Sequence, residues 1–146
     1  MGETDQIEAL TFDVFGTIVD WRASVSRQLA AVGASLGVQA DWDRFADRWR
    51  EGYNSGMARI NAGEDDWKLV DAIHRERLDL LLYEYGVSGR LSEADKQELN
   101  RAWHRLDPWP EAVEGLIRMK SKFVVAALSN GNISLLTNMA EYGGLP

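Results

Sequence analysis

The chain has 146 residues, 45% of them hydrophobic and 27% charged, which is the composition of a globular domain with a sizeable core. Its formal net charge of −7 argues against a nucleic-acid partner, because such a partner needs a basic surface. The absence of cysteine excludes disulfides and thiolate metal sites, and no apolar run approaches the length of a membrane span. We therefore expect a cytoplasmic protein that binds neither nucleic acid nor membrane.

Two apolar runs predict the strands of a parallel sheet. Residues 7–15, I-E-A-L-T-F-D-V-F, predict a buried strand that ends at Gly16, and residues 123–128, F-V-V-A-A-L, predict a second one. Continuous apolar runs are typical of parallel strands covered on both faces. Each run is followed by small polar residues, and ligand sites in open parallel sheets lie at those carboxyl ends.

The residues between the two runs predict helices throughout. Asp20, Asp41 and Ser92 are candidate N-caps, and Ser92 forms a capping-box pattern with Asp95. Apolar stripes at helical spacing follow them; the stripe predicted for the third helix is Trp67, Val70, His74, Leu78, Leu81 and Tyr85. Pro110 begins a short helix that leads into the second strand, and residues 133–142 predict a last helix.

The pattern predicts an α/β fold, an incomplete Rossmann-like parallel-sheet core with an all-helical cap inserted after the first strand. We place the core at residues 1–20 and 110–146 and the helical insertion at residues 21–109. Because two strands alone would leave most of the sheet faces uncovered, we expect the sequence to be the N-terminal part of a longer protein.

Asp13 is the candidate for the central chemical role. It stands at the end of the first predicted strand, where a carboxylate can act as a nucleophile and form an ester that water later opens. Thr17 offers a hydroxyl that would orient the acid, and Gly16 allows a sharp turn beside a ligand. An aspartate in such a place also serves commonly as a turn former or helix cap, and the residue type alone leaves both interpretations open.

Ser129 and Asn130 follow the second predicted strand directly. They supply a hydroxyl, an amide and backbone donors at the same edge of the sheet as Asp13. The alternative for Ser129, as for Asn132, is to cap the helix that follows. Two polar loops at two strand ends, separated by a helical insertion, favour a functional site.

Together these motifs resemble the haloacid dehalogenase superfamily. D-V-F-G-T at Asp13–Thr17 and A-A-L-S-N-G at residues 126–131 are similar to its first and second motifs, and the intervening helices are similar to its cap domain. The phosphatases of that superfamily carry a second aspartate two residues after the first, as the acid that protonates the leaving group. Phe15 occupies that place here and can neither give nor take a proton.

Phe15 makes the chain similar to the (S)-2-haloacid dehalogenase branch. A departing halide needs no proton, so a ring is tolerable where a phosphatase needs an acid. The resemblance implies hydrolysis of a short 2-haloalkanoic acid to the 2-hydroxy acid, through an ester on Asp13, with no metal and no cofactor. It also implies a small 2-haloacid as partner and is compatible with a homodimer.

Arg50 is the one arginine of its predicted helix that lies on the shoulder of the apolar stripe, whereas Arg44, Arg48 and Arg59 point the other way. In the resembling dehalogenases a Trp-Arg pair at this place supplies the arginine that binds the leaving halide, and Trp49-Arg50 matches it. The alternative is a surface arginine that pairs with Asp47 or Asn54.

The resemblance therefore assigns the candidate site as follows. Asp13, Thr17 and Arg50 would carry the reaction, with Asn130 beside Arg50 at the halide. Ser129 and the N–H groups around Val14 and Phe15 would hold the substrate carboxylate. For His74 we expect a packed, hydrogen-bonded core residue, and for His104 we predict no role.

One departure from the family pattern leads us to expect that the 146-residue chain by itself is inactive or only weakly active. The resemblance also implies a lysine after a third strand and an acidic motif after a fourth, and both would fall beyond Pro146; Lys120 and Lys122 precede the second strand and cannot replace that lysine. Two alternatives thus stand beside the dehalogenase: a magnesium-dependent phosphatase acting on a small phosphate ester, and a non-catalytic fragment.

Overall fold

The computed structural model describes residues 6–146. Its elements, in chain order, are β1 (Ala9–Phe12), β2 (Val19–Asp20), α1 (Trp21–Ser35), α2 (Trp42–Asn61), α3 (Val70–Glu84), α4 (Glu93–Asn100), β3 (Asp107–Pro108), α5 (Ala112–Lys120), β4 (Val124–Ala127) and α6 (Ile133–Gly143). Short 3-10 helices, Ser88–Arg90 and Arg101–His104, flank α4. Among these residues no helix combines the length and the apolar character that crossing a membrane requires.

The sheet that positions the site consists of β1 and β4. They run parallel, in a register that pairs Ala9 with Val124 and Phe12 with Ala127. Because the strands are parallel, both of their carboxyl ends lie at the same edge, and the loops that contain Asp13 and Ser129 start there. The parallel sheet predicted from the two apolar runs is present.

Both strands are shorter and more exposed than the prediction. β1 ends at Phe12 because the next residues fold into a tight turn, in which the carbonyl of Val14 accepts hydrogen bonds from the N–H groups of Thr17, Ile18 and Val19. The expectation of buried strands is wrong: Val124 is 67% exposed and Leu128 69%. Within residues 6–146 this sheet consists of one pair of strands, and the face that carries Val124 is exposed.

The predicted helix caps at three helices are confirmed. The carboxylate of Asp20 accepts from the N–H of Ala23, and that of Asp41 accepts from the N–H of Arg44. Ser92 and Asp95 form the reciprocal capping box. Each cap satisfies N–H groups that would otherwise lack a partner in the first helical turn.

The core of the helical region lies between α1, α2 and α3. It contains Leu29, Phe45, Trp49, Leu78 and Leu81, each at most 1% exposed. The stripe predicted for α3 is wrong at its first member, since α3 begins at Val70 and Trp67 precedes it with 78% of its surface exposed. Trp103 is fully buried.

The chain enters and leaves the helical region through two adjacent segments. β2 and β3 form a two-residue antiparallel ribbon in which Val19 pairs with Pro108 and Asp20 with Asp107. The indole N–H of Trp109 also donates to the carbonyl of Gly16, at 3.1 Å. Both segments therefore lie beside the turn that follows Asp13.

Candidate active site

Asp13 lies immediately after β1, with its carboxylate exposed in the loop. The hydroxyl of Thr17 donates to Oδ2 of Asp13 at 2.8 Å. A single hydroxyl contact fixes one carboxylate oxygen and leaves the other open to a reaction partner. The side chain caps no helix, which was one of the two alternatives to a chemical role; its contact with Thr17 lies within the turn after β1, so the turn-forming alternative stays open.

The turn after Asp13 is held by its own backbone. Gly16 adopts a φ of 92°, a left-handed conformation that favours glycine, and its N–H donates to the carbonyl of Val19. The N–H groups of Val14 and Phe15 form no hydrogen bond to any residue within 6–146. They are therefore free to bind an anion such as a carboxylate.

Arg50 projects from α2 into a cage of aromatic rings. Its Cζ lies 4.7 Å from the ring centroid of Tyr53, 5.5 Å from Phe15, 5.7 Å from Trp21 and 6.0 Å from Trp103. At these distances the ring faces attract the cation. Against the alternative weighed for it, Arg50 forms no ion pair with Asp47, whose partner is Arg22.

The electrostatics of Arg50 indicate a charge that lacks an acidic partner. Burial lowers its pKa below the ordinary value, although the neighbouring Tyr53 and Asp13 act in the opposite direction. Within residues 6–146 the guanidinium N–H groups have no hydrogen-bond acceptor in contact. A half-buried cation whose N–H groups lack acceptors is suited to binding a small anion.

Phe15 is one wall of this cage. Its ring packs edge-on against Trp103, at a centroid distance of 6.3 Å, while its face lies toward Arg50. Phe15 therefore has two effects at the site. It puts no acid at this position, and its ring helps to hold the guanidinium of Arg50 near Asp13.

The loop after β4 brings Asn130 to the same region. Its Nδ2 donates to the hydroxyl of Tyr53 at 3.5 Å, and Tyr53 is the ring nearest to Arg50. The hydroxyl of Ser129 accepts from the N–H of Gly131 at 3.2 Å, so it forms a local turn and caps no helix. Asn130 also lines a cleft of about 540 Å³ between the loop before α3 and the start of α6.

Sequence reasoning missed most of the cage. Trp21, Tyr53 and Trp103 come together from separate elements, and only their aromatic character was visible in the sequence. His74 stacks on Trp103, with ring centroids 4.3 Å apart and an interplanar angle of 14°. The expectation that His74 is packed is confirmed, but the expected hydrogen bond is absent, because neither ring nitrogen has a partner within the described residues.

His104, for which no role was predicted, has a carboxylate partner. Its Nε2 lies 3.0 Å from Oδ1 of Asp71, which is 33 residues away in the sequence. Such a separation hides the pair from any spacing argument. No cluster of three or more His, Asp or Glu side chains within residues 6–146 is arranged to hold a metal ion.

The similar proteins are dehalogenases. The curated (S)-2-haloacid dehalogenase 4A of Burkholderia cepacia is 32% identical over 136 residues, which cover 90% of this chain and 54% of that protein. The (S)-2-haloacid dehalogenase 1 of Pseudomonas sp. strain CBS-3 is 29% identical, over 97% of this chain and 59% of that protein. A crystal structure of a defluorinating L-2-haloacid dehalogenase superposes with a TM-score of 0.92 at 41% identity, over 96% of this chain and 58% of that one.

The chain is a relative of the 2-haloacid dehalogenases. The resemblance seen in its motifs is confirmed, and so is the fold class, a small parallel sheet with a largely helical remainder of the haloacid dehalogenase type. No family model matches the sequence. The chain spans little more than half the length of the curated dehalogenases that it matches.

Proposed function

We propose that this chain carries the nucleophile and the halide-binding residues of a hydrolytic dehalogenase that acts on short 2-haloalkanoic acids. The support comes from the similar proteins and from the contacts around Asp13 and Arg50. The observation on which the proposal depends most is the caged guanidinium of Arg50, which lies near the carboxylate of Asp13 and lacks an acidic partner within residues 6–146.

In the proposed reaction Oδ1 of Asp13 attacks the carbon that bears the halogen. A carbon–oxygen bond forms as the carbon–halogen bond breaks, the halide leaves with the bonding electron pair, and the configuration at carbon inverts. The positive charge of Arg50 and the amide of Asn130 stabilise the departing halide. The ring of Phe15 occupies the place of a proton donor, which a halide does not need.

The substrate carboxylate would be held by the free N–H groups of Val14 and Phe15, with the hydroxyl of Ser129 beside them. The bond from Thr17 would leave Oδ1 of Asp13 aligned with the carbon, and alignment of this kind supplies much of the acceleration in a displacement. Water then attacks the ester carbonyl: its oxygen remains on the carboxylate of Asp13, one of its protons goes to the oxygen of the departing 2-hydroxy acid, and the other is released to solvent. We assign no residue within 6–146 to the activation of this water.

The halide site favours a compact anion. The four rings surround Arg50 closely, and a crystal structure of a similar protein is of a defluorinating enzyme. We therefore include fluoroacetate with the chloro and bromo acids as substrates. We propose no cofactor for the displacement, because it needs neither a redox change nor a proton transfer to the leaving group.

The ester on Asp13 provides the direct test. The 146-residue chain is incubated with 2-chloropropionate, and its intact mass and the free chloride are followed. We expect the mass of one carboxyethyl group on Asp13 and one chloride per chain, or continuous chloride release where the ester turns over. The variant D13N should give neither, and D43N, which removes an exposed carboxylate of α2, should behave as the wild type.

A phosphatase assay, run beside the ester and chloride measurements, separates the alternatives. A magnesium-dependent release of phosphate from p-nitrophenyl phosphate, without an ester from 2-chloropropionate, would establish a phosphatase. Chloride release that persists in D13N would refute the assignment of the nucleophile. The comparisons do not favour a non-catalytic fragment over the dehalogenase.

Two finer expectations remain part of the proposal. A cytoplasmic location would be tested by cell fractionation with an antibody against the chain. Homodimer formation would be tested by sedimentation over a range of concentrations, with a doubled mass as the expected result.

A further inference from the structure

Asn132 forms an unusual set of contacts for a residue at the start of a helix. It is the N-cap residue of α6, yet its side chain forms no cap bond to that helix. Its Nδ2 donates to Oδ2 of Asp71 at 3.0 Å and to the hydroxyl of Ser134 at 2.8 Å, and its Oδ1 accepts from the N–H of Asp71 at 3.4 Å. The side chain therefore links the first turn of its own helix to a residue 61 positions away.

The helix that receives these contacts lacks a cap of its own. The N-cap residue of α3 is Leu69, which offers no side-chain acceptor to the first turn. Asn132 supplies that acceptor from the loop after β4, so the start of α3 is capped by a residue of another element. The contact between Asn132 and Asp71 therefore joins the β4–α6 unit to the helical region.

A second link joins the same two regions. The other oxygen of Asp71 faces Nε2 of His104 at 3.0 Å, and Nδ1 of His104 accepts from Nδ2 of Asn138, on α6, at 2.9 Å. Because Nδ1 accepts, the proton lies on Nε2, which donates to Asp71. Burial acts to raise the pKa of Asp71, but the bonds from His104 and Asn132 outweigh it and the pKa lies below its usual range.

We propose that Asp71, His104, Asn132 and Asn138 form a latch that positions the loop of Ser129 and Asn130 against Tyr53 and Arg50. The latch holds α6 at Asn138 and the end of the loop at Asn132, two residues after Asn130. Its four members touch no reacting atom and act through Asn130, so they are positioning residues. The part of the proposal that concerns catalysis rests on the proposed function.

The test uses an exchange of the two partners. In N132D two carboxylates face each other and repel, and the introduced carboxylate is drawn to the N-terminus of its own α6, where an acidic side chain is favoured. In the double variant D71N/N132D the geometry is restored with the partners reversed. The amide and the backbone N–H at position 71 then donate to the carboxylate at position 132, while the amide oxygen at position 71 accepts from His104. N61D, which adds the same charge at the exposed last residue of α2, away from Arg50, is the control.

Two readouts are followed on the 146-residue chain: amide hydrogen exchange of residues 129–134, and the initial rate of ester formation on Asp13 from 2-chloropropionate. In N132D we expect exchange to be faster by about tenfold or more, as the loss of bonds to a charged group predicts, and ester formation to slow by a similar factor. Both should return to within about twofold of the wild type in the double variant, and N61D should change neither.

The possible outcomes distinguish a failure of the latch from a failure of the proposed function. Unchanged exchange in N132D, or no recovery in the double variant, overturns the latch. An ester rate that stays constant while exchange responds overturns the positioning role. Absence of both the ester and chloride release in the wild type refutes the proposed function, and exchange alone then decides whether the loop is held in this way.

Discussion

Arg50 presents a cation to a site that contains four ring faces and, within residues 6–146, no acid in contact with it. An arrangement that served stability alone would have paired the guanidinium, since an unpaired charge in a half-buried place is unfavourable. The cost is offset where a ligand supplies the anion, which is the role that the proposed halide fulfils.

Replacement of Arg50 tests whether its charge stabilises the departing halide. R50M keeps the packing of the stem and removes the charge, so ester formation on Asp13 should fall by about 10² to 10³, as for the loss of one preorganised donor. R44M removes an exposed arginine from the same helix, whose side chain is 58% accessible, and should retain the wild-type rate. Mass spectrometry of the ester measures both, and equal rates in the two variants would remove Arg50 from the reaction.

His74 makes stability depend on pH. Burial lowers its pKa from 6.5 to about 3, with the charge of Asp71 acting in the opposite direction and that of Arg50 in the same one. The unfolded chain takes up a proton as the pH falls below 6.5, while the folded chain does not until about pH 3. The contribution of neutral His74 is therefore complete above pH 6.5 and is lost progressively on acidification.

H74L removes this titration and keeps a side chain of similar volume. Between pH 7 and pH 5 the wild type should lose about 2 kcal/mol of unfolding free energy relative to H74L, since one proton is linked over roughly 1.5 pH units. Urea unfolding of both chains at each pH gives the difference, in which all other titrating groups cancel. Parallel pH profiles would show that His74 is not the buried neutral group described.

Among the helices, α1 and α2 are joined by a contact that leaves no space for a methyl group. A Cβ added at Gly33 would lie 2.2 Å from Cζ2 of Trp42, a distance that forces the ring to move. Trp42 stacks on Tyr85 and packs beside Phe45, so its displacement would disturb the aromatic core. Glycine at this position therefore serves close helix packing rather than backbone freedom.

G33A should lower the unfolding free energy by about 1–3 kcal/mol, as overpacking of a filled core does. Gly115 of α5 is the matched control, because a Cβ there meets nothing within 4 Å. G115A should raise the unfolding free energy by about 0.5–1 kcal/mol through helix propensity alone. Urea midpoints measure both, and stabilisation in both variants would mean that Trp42 yields without cost.

The helices and strands also show which features of the structure could be predicted from the sequence. The caps at Asp20, Asp41 and Ser92 were predicted correctly because each joins residues three positions apart. The start of α3 was placed too early because its cap is Asn132, which no local pattern reveals. The Asp71–His104 pair and the ring cage were missed for the same reason, since tertiary packing alone brings their members together.

At the scale of the whole of residues 6–146, the exposed sheet is the main physical liability. Val124 and Leu128 lie on one face with about two thirds of their surfaces accessible, at 67% and 69%, and a continuous apolar face on short edge strands promotes association. The apolar runs predicted these strands correctly, but their burial depends on how many neighbours cover them, which their own residues do not encode.

V124T/L128T should reduce this tendency without harm to the fold. We expect dye binding to exposed apolar surface, measured with ANS, to fall, and the unfolding free energy to change by no more than about 0.5 kcal/mol, as for surface substitutions. Sedimentation of both chains provides the second measure. Undiminished dye binding would place the apolar surface elsewhere, for instance at Trp67 and Ile133.

The antiparallel ribbon of β2 and β3 bears on how such a molecule could evolve. Asp20 and Asp107 are direct partners across it, so the whole helical excursion departs from and returns to a single place. A chain that carried a brief hairpin there could accept a larger inserted unit with little extra entropy of closure and no rearrangement of its strands. Selection could then change the helices around the candidate site while Asp13 kept its geometry.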